Sequence, residues 1–87
     1  MSAPVTIYTK ATCPYCLNAK KLFDRLGVRY DEIPVDGNPA LREEIRERYR
    51  WPTVPVIVIG DRMVGGFDDV SQLERTGELA KLLAAET

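Results

Sequence analysis

Short apolar runs alternate with longer segments in which apolar residues recur every three or four positions. Residues 5–9 are rich in β-branched and aromatic side chains, which predicts a strand. From Pro14 the apolar positions follow helical spacing as far as Leu26. Pro14 suits a first helical turn, and Gly27 supplies a stop. The first quarter of the chain is therefore predicted to be a strand followed by a helix.

The middle of the chain repeats this order. Residues 28–34 predict a second strand, and Asn38 followed by Pro39 is typical of a helix start, with Asn38 as the N-cap. Apolar residues of this helix are predicted to face the core; they are Leu41, Ile45 and Tyr49. The opposite side is charged, and Glu44 with Arg48 forms an i,i+4 pair on what is most simply a solvated face.

The last third predicts a hairpin and a broken helix. Residues 56–59 form a continuous apolar run, the pattern of a strand buried on both faces, and Gly60-Asp61 offers a turn into residues 62–64. After Gly65-Gly66 comes a helical region interrupted near Gly77, whose apolar face is Val70, Leu73, Leu79, Leu82 and Leu83. The order βαβα-ββα predicts an α/β domain with a four-stranded mixed sheet flanked by helices.

The two cysteines of the chain, Cys13 and Cys16, stand at the first strand–helix junction. A residue at the N-terminal edge of a helix meets unpaired N–H groups and the positive end of the helix dipole, which favour the Cys13 thiolate. Cys16 lies one turn further in, within reach of a mixed disulfide on Cys13, so one thiol would attack and the other resolve. Three other interpretations are half of a zinc site, a structural disulfide and inert buried cysteines. Zinc usually needs four Cys or His ligands, and a disulfide here would close too short a loop to stabilise much.

Composition argues against two kinds of binding partner, nucleic acid and membranes. Twelve basic residues against thirteen acidic ones give a net charge of −1, which leaves no broad electrostatic footprint for nucleic acid or an anionic membrane. The longest apolar run, residues 54–59, is far too short to span a bilayer. The first strand begins too early to leave room for a signal peptide, so we expect a cytoplasmic protein. We also expect one domain over residues 1–87, and a monomer.

Three segments together carry a family resemblance: residues 7–10 before Cys13-Pro14-Tyr15-Cys16, then residues 53–55, then residues 65–69. In this order and spacing the chain resembles the dithiol glutaredoxins over essentially its whole length, and a Cys-x-x-Cys at this junction is the thioredoxin-like arrangement. The resemblance implies that Cys13 is the nucleophile and Cys16 the resolving thiol. It also implies glutathione as cofactor and electron donor, with disulfide-containing or glutathionylated proteins as substrates.

The resemblance further implies a glutathione groove. Val54 would pair its backbone with the cysteinyl part of glutathione ahead of a cis Pro55, and Lys10 and Arg42 would meet the glycyl carboxylate. The N–H groups of Phe67 and Asp68 at a helix start would meet the γ-glutamyl carboxylate. The remaining groove residues are Tyr15, Thr53, Gly66 and Asp69, with Asp69 placed for the ammonium group. Plainer roles compete: Asp69 as a helix cap, Arg42 as solvated surface and Tyr15 as a packing residue.

One stretch departs from the family pattern. Glutaredoxins usually place a glycine and then a basic residue shortly before Thr-Val-Pro, whereas this chain has Tyr49-Arg50-Trp51-Pro52. Trp51 would either anchor this loop to the core or form part of a rim that selects protein substrates. Two rival functions are a hydrogen donor reduced by thioredoxin reductase and an iron–sulfur carrier that holds its cluster through Cys13. Lys10 with residues 65–69 counts against the first, and Pro14 with Cys16 counts against the second.

Overall fold

The computed structural model describes residues 4–51 and 54–84. Four strands form one mixed sheet in the order β2-β1-β3-β4, in which β1 pairs parallel with β2 and antiparallel with β3. The elements along the chain are β1 Val5–Thr9, α1 Pro14–Arg25, β2 Asp31–Pro34, α2 Pro39–Tyr49, β3 Val56–Ile59, β4 Arg62–Gly65, α3 Phe67–Thr76 and α4 Glu78–Ala84. The predicted βαβα-ββα order and the four-stranded mixed sheet are confirmed.

The predicted start of the second strand is wrong by three residues. Gly27 takes a positive φ of 70° after the end of α1, and the Val28 N–H donates to the carbonyl oxygen of Phe23 at 2.9 Å. The backbone of Val28 is therefore still closing the helix, and Val28 and Tyr30 pack against the core before β2 begins at Asp31. The predicted interruption at Gly77 is confirmed, because this residue has φ 83° and separates α3 from α4.

Two apolar clusters hold the layers together, and β3 contributes to both. The larger cluster contains Val5, Ile7, Ala19, Leu22, Phe23, Ile57, Ile59, Val70 and Leu79, and thus joins the sheet to α1, α3 and α4. The smaller one joins α2 to β3 and contains Ile45, Val56 and Val58, with Leu41, Tyr49 and Trp51 packed against it. All four residues of β3 are buried, as the continuous apolar run predicts.

The loop after β1 is fixed at both ends. The Cys13 N–H donates to the carbonyl oxygen of Lys10 at 3.2 Å, and the Ala11 N–H donates to Asp36 Oδ2 at 3.3 Å. The Val35 N–H donates to the carbonyl oxygen of Thr9, which extends the β1–β2 pairing to the edge where the loop leaves. These bonds hold the start of α1 at the carboxyl end of β1. None of the helices described here is long and apolar enough to cross a membrane.

Candidate active site

Cys13 is the N-cap of α1. Its backbone is extended, with φ −105° and ψ 108°, and its Sγ accepts a hydrogen bond from the Cys16 N–H at 3.2 Å. Pro14 occupies the first helical position, as predicted, and has no N–H to offer. Cys13 Sγ is thus half-buried at the positive end of α1, with an N–H directed at it.

Cys16 is in the opposite environment. It lies one turn inside α1 and is 2% exposed. Burial, followed by the hydrogen bond with Cys13, raises the pKa of the Cys16 thiol to about 12. Both cysteines are free thiols. The two sulfurs are therefore neighbours of unequal accessibility, and their predicted attacking and resolving roles stay a prediction.

A turn before β3 lies against Cys13. The Val54-Pro55 peptide bond is cis, as the resemblance implies, and Pro55 is buried. The Cys13 thiol lies 3.6 Å from the Val54 carbonyl oxygen and donates to it. Thr53, another predicted groove residue, lies outside the described residues. The observed contact brings the backbone of Val54 beside Cys13 Sγ.

The start of α3 contains the predicted residues Gly66, Phe67, Asp68 and Asp69, and it is preceded by Gly65. Gly66 is the N-cap, so the Phe67 and Asp68 N–H groups belong to the first turn, as predicted. Asp69 is exposed and its Oδ2 accepts from the Gly66 N–H at 3.0 Å, which is the capping role that competes with ligand binding. Gly65 has φ 121°, and a Cβ there would collide with the Asp69 carboxylate. Gly65 and Asp69 are thus matched to each other in one tight helix start.

An aromatic contact joins the start of α3 to the start of α1, where the cysteines lie. Tyr15 is 56% exposed, and its ring centroid lies 6.4 Å from that of Phe67. Tyr15 is therefore exposed on the first turn of α1 and also packs on another ring, so its role in a groove stays a prediction.

Arg42 and Trp51 border a small recess on the α2 side of Val54. Arg42 is exposed on α2 and lines this recess together with Val54 and Trp51. Trp51 packs on the smaller apolar cluster, which supports its role as an anchor of the loop. Arg50, just before it, has a left-handed backbone with φ 53° and ends α2. That is the conformation glycine favours, so the glycine of the family pattern has a structural explanation.

Lys10 lines a different cavity, a cleft of about 300 Å³ that also borders Cys13 and Cys16. The predicted partners of the glycyl carboxylate, Lys10 and Arg42, are therefore seen in separate recesses. The same cleft contains two residues that the sequence analysis missed, Lys20 and Glu32. The available signal was the position of Lys20 four residues after Cys16, which places both on one face of α1.

Comparisons with known proteins agree with this geometry. The family model "Glutaredoxin" matches residues 5–64. The chain is 52% identical to a glutaredoxin of Pseudomonas aeruginosa over 82 residues, covering 94% of this chain and 98% of that one. It is 49% identical to glutaredoxin 3 of Escherichia coli over 81 residues, covering 93% and 98% of the two chains.

A solved structure extends the agreement to the fold. The crystal structure of a buckwheat glutaredoxin–glutathione complex superposes with a TM-score of 0.87 at 36% identity, covering 93% of this chain and 76% of that one. The thioredoxin-like fold is thus shared with solved glutaredoxins. The chain belongs to the glutaredoxin family, the glutathione-dependent disulfide oxidoreductases.

Proposed function

We propose that this protein reduces protein disulfides and glutathione mixed disulfides, with Cys13 as nucleophile, Cys16 as resolving thiol and glutathione as electron donor. The observation that carries the proposal is the pair of unequal sulfurs. Cys13 Sγ is half-buried at a helix N-cap and accepts an N–H bond, whereas Cys16 is buried one turn inside. We include in the proposal that it acts as a single-domain monomer in the cytoplasm.

The exchange conserves electrons at each step. Cys13 thiolate attacks a substrate disulfide, forming a Cys13–substrate disulfide while the substrate S–S bond breaks, and the departing thiolate takes up a proton. Cys16 then attacks Cys13 Sγ, which releases the second substrate thiol and leaves a Cys13–Cys16 disulfide. Two molecules of glutathione return both cysteines to thiols and become glutathione disulfide. A buried resolving thiol suits this order, because a thiol whose pKa is raised to about 12 is protonated at neutral pH and does not compete with Cys13 for the first attack.

Glutathione recognition is supported by the groups around Cys13. The backbone of Val54 lies beside Cys13 Sγ, and the first turn of α3 offers the Phe67 and Asp68 N–H groups to an anion. Tyr15, two residues after Cys13, exposes its ring and packs it on that of Phe67 at the start of α3. A solved relative, the buckwheat protein, is described as a complex with glutathione. The remaining proposed contacts are Lys10, Arg42, Thr53, Pro55, Gly66 and Asp69.

The electron donor provides the sharpest test. Oxidised protein should be reduced quickly by glutathione with glutathione reductase and NADPH, and slowly by thioredoxin reductase with NADPH. A faster reaction with thioredoxin reductase would replace the proposal with the hydrogen-donor alternative. Anaerobic addition of iron, sulfide and glutathione should give no stable chromophore or dimer; their appearance would favour the iron–sulfur carrier.

A variant of Asp69 tests the proposed contact with the ammonium group of glutathione. The hydrogen bond from the Gly66 N–H to Asp69 decides which substitution to use. Asp69→Ala would remove the acceptor for the Gly66 N–H as well as the charge, so it would confound folding with binding. Asp69→Asn keeps an acceptor oxygen and removes the charge. A hydrogen bond to a charged group contributes roughly 1.5–3 kcal/mol and a neutral one about 0.5–1.5 kcal/mol. The difference is about 1.4 kcal/mol, so we expect glutathione use to weaken at most about tenfold.

Two controls accompany this variant. Reaction with 2-mercaptoethanol, which has no ammonium group, should be nearly unchanged by Asp69→Asn. Asp61→Asn, in the exposed turn between β3 and β4, removes one acidic charge elsewhere and should leave glutathione use unchanged. Equal effects of Asp69→Asn on glutathione and on 2-mercaptoethanol would remove Asp69 from the proposed site.

A further inference from the structure

The cleft beside the cysteine pair contains an ion pair that the exchange mechanism has not used. Lys20 Nζ and Glu32 Oε2 lie 3.1 Å apart, and both residues line this cleft together with Cys13 and Cys16. Their side chains are 28% and 37% exposed, so the pair lies at the mouth of the cleft and is in contact with solvent. An exposed ion pair of this kind contributes little to the free energy of folding, so stability alone does not account for its position beside the two cysteines.

A buried hydroxyl fixes the pair. Thr9, 2% exposed at the end of β1, donates from Oγ1 to the same Glu32 oxygen at 2.7 Å. In the parallel β1–β2 pairing Glu32 is opposite Ile7, so Glu32 shares a sheet face with Ile7 and Thr9. The hydrogen bond from Thr9, then that from Lys20, lowers the pKa of Glu32 and keeps it ionised. The carboxylate is therefore a fixed anchor that limits where the Lys20 ammonium can go.

The position of Lys20 matters because Cys16 must ionise in order to resolve. Lys20 follows Cys16 by one turn on the same face of α1, and its positive charge lowers the pKa of Cys16 against the larger effect of burial. The other polar and titratable groups near Cys16 and Lys20 are Cys13 and the Lys10 backbone on the junction loop, and Glu32 and Tyr30 on the β2 side. The side chain of Lys10 also lines the cleft. Of the two lysines, Lys20 is the one whose positive charge lowers the pKa of Cys16, and its ammonium is held by Glu32.

We propose that Lys20, held by Glu32 and Thr9, is a positioning residue for the resolving step, its ammonium stabilising the Cys16 thiolate that attacks Cys13. The idea rests on the thiol–disulfide exchange proposed above. In the step itself the Cys16 proton passes to solvent and the Cys16–Cys13 bond forms. The Cys13–substrate bond breaks, and the departing thiolate takes a proton from solvent.

The size of the effect follows from exchange kinetics. For each unit by which removal of the ammonium raises the pKa of Cys16, the thiolate fraction at neutral pH falls tenfold, while the remaining thiolate becomes roughly threefold more nucleophilic. We therefore expect Lys20→Met to slow resolution at neutral pH about threefold per unit. The pH–rate profile should move to higher pH by as many pH units as the pKa of Cys16 rises.

The experiment should observe resolution apart from glutathione binding. Reduced protein is mixed with saturating 2-hydroxyethyl disulfide, a neutral compound that needs no glutathione groove, and acid-quenched samples are analysed by mass spectrometry. The decay of the Cys13 adduct to the internal disulfide then gives the resolution rate at each pH. Lys20→Met and Lys20→Gln should both move this profile, and Lys20→Arg should restore it.

Two comparisons separate the possible failures. Lys21→Met removes a neighbouring positive charge from an exposed residue outside the cleft, and its profile should match the unmodified protein. Cys16→Ser should keep the adduct intact. If Lys20→Met and Lys21→Met both leave the profile unchanged while Cys16→Ser blocks decay, the role of Lys20 is refuted and the exchange mechanism stands. Decay of the adduct in Cys16→Ser would overturn the resolving role of Cys16, and the role of Lys20 with it.

Discussion

The contrast between the two sulfurs can be measured as a difference in alkylation rate. Burial, then the hydrogen bond with Cys13, raises the pKa of Cys16 from its ordinary value of 9.0 to about 12. At neutral pH its thiolate fraction is then about a thousandfold below that of an ordinary thiol. The thiolate of a less acidic thiol is more nucleophilic, here by a factor of about thirty. The lower thiolate fraction and the higher nucleophilicity together should make Cys16 react about thirtyfold more slowly than an ordinary thiol. Its 2% exposure should slow it further.

The assay is a short treatment of reduced protein with iodoacetamide, followed by acid quench and digestion with trypsin. Both cysteines lie between Lys10 and Lys20 and thus share one peptide, so fragment ions are needed to locate the label. We expect the label on Cys13 first, and labelling of Cys16 to rise as the pH approaches the pKa of its thiol. In denaturing guanidinium chloride the two residues should react at similar rates, because both burial and the helix are lost.

One result would refute this reasoning. If native Cys16 reacts at neutral pH within a few-fold of free N-acetylcysteine, then burial does not suppress its ionisation. The inequality of the two sulfurs would then have to come from Cys13 alone. Labelling of Cys16 before Cys13 would reverse the assignment of nucleophile and resolving thiol.

Two further predictions concern the loops that frame the site, and urea unfolding measures both. Gly65→Ala forces a side chain into a positive-φ position against the Asp69 carboxylate, so we expect it to cost about 1–3 kcal/mol. Gly37→Ala, where φ is also positive but the space is open, should cost less; equal costs would show that the Asp69 contact is unimportant. Arg50→Gly removes a left-handed non-glycine residue, so we expect a gain of up to about 1 kcal/mol in unfolding free energy. A loss would mean that the Arg50 side chain makes a stabilising contact of its own.

Most of the fold could be predicted from sequence because local signals agree with one another. Asn38 and Pro39 start α2 as predicted, and the Asn38 side chain accepts from the Leu41 N–H at 3.1 Å. The predicted start of β2 was wrong because apolar residues that follow a helix can pack on the core without joining the sheet, as Val28 does. Periodicity registers which residues are buried, but it does not show which hydrogen bonds their backbones make.

The site was predictable where chemistry is local in sequence. Cys13 and Cys16 lie on one helical turn, so their spacing alone defines their relation. The Thr9–Glu32–Lys20 network was missed because it joins two strands and a helix, and it depends on the register that sets Glu32 opposite Ile7. Asp69 shows a different limit: an acidic residue at the third position of a helix suits a cap and a ligand contact equally well, and only the structure shows the bond to Gly66.

The order of events in the exchange follows from how one helix begins. Pro14 has no N–H, and the N–H that reaches Cys13 Sγ belongs to Cys16. In the proposed exchange one residue therefore supplies both the hydrogen bond to the attacking sulfur and the thiol that later displaces its substrate. The backbone N–H and the side chain of Cys16 would thus act at successive steps. Resolution then depends on how readily a buried thiol ionises, and the cationic side chain one turn further along α1 bears on that step.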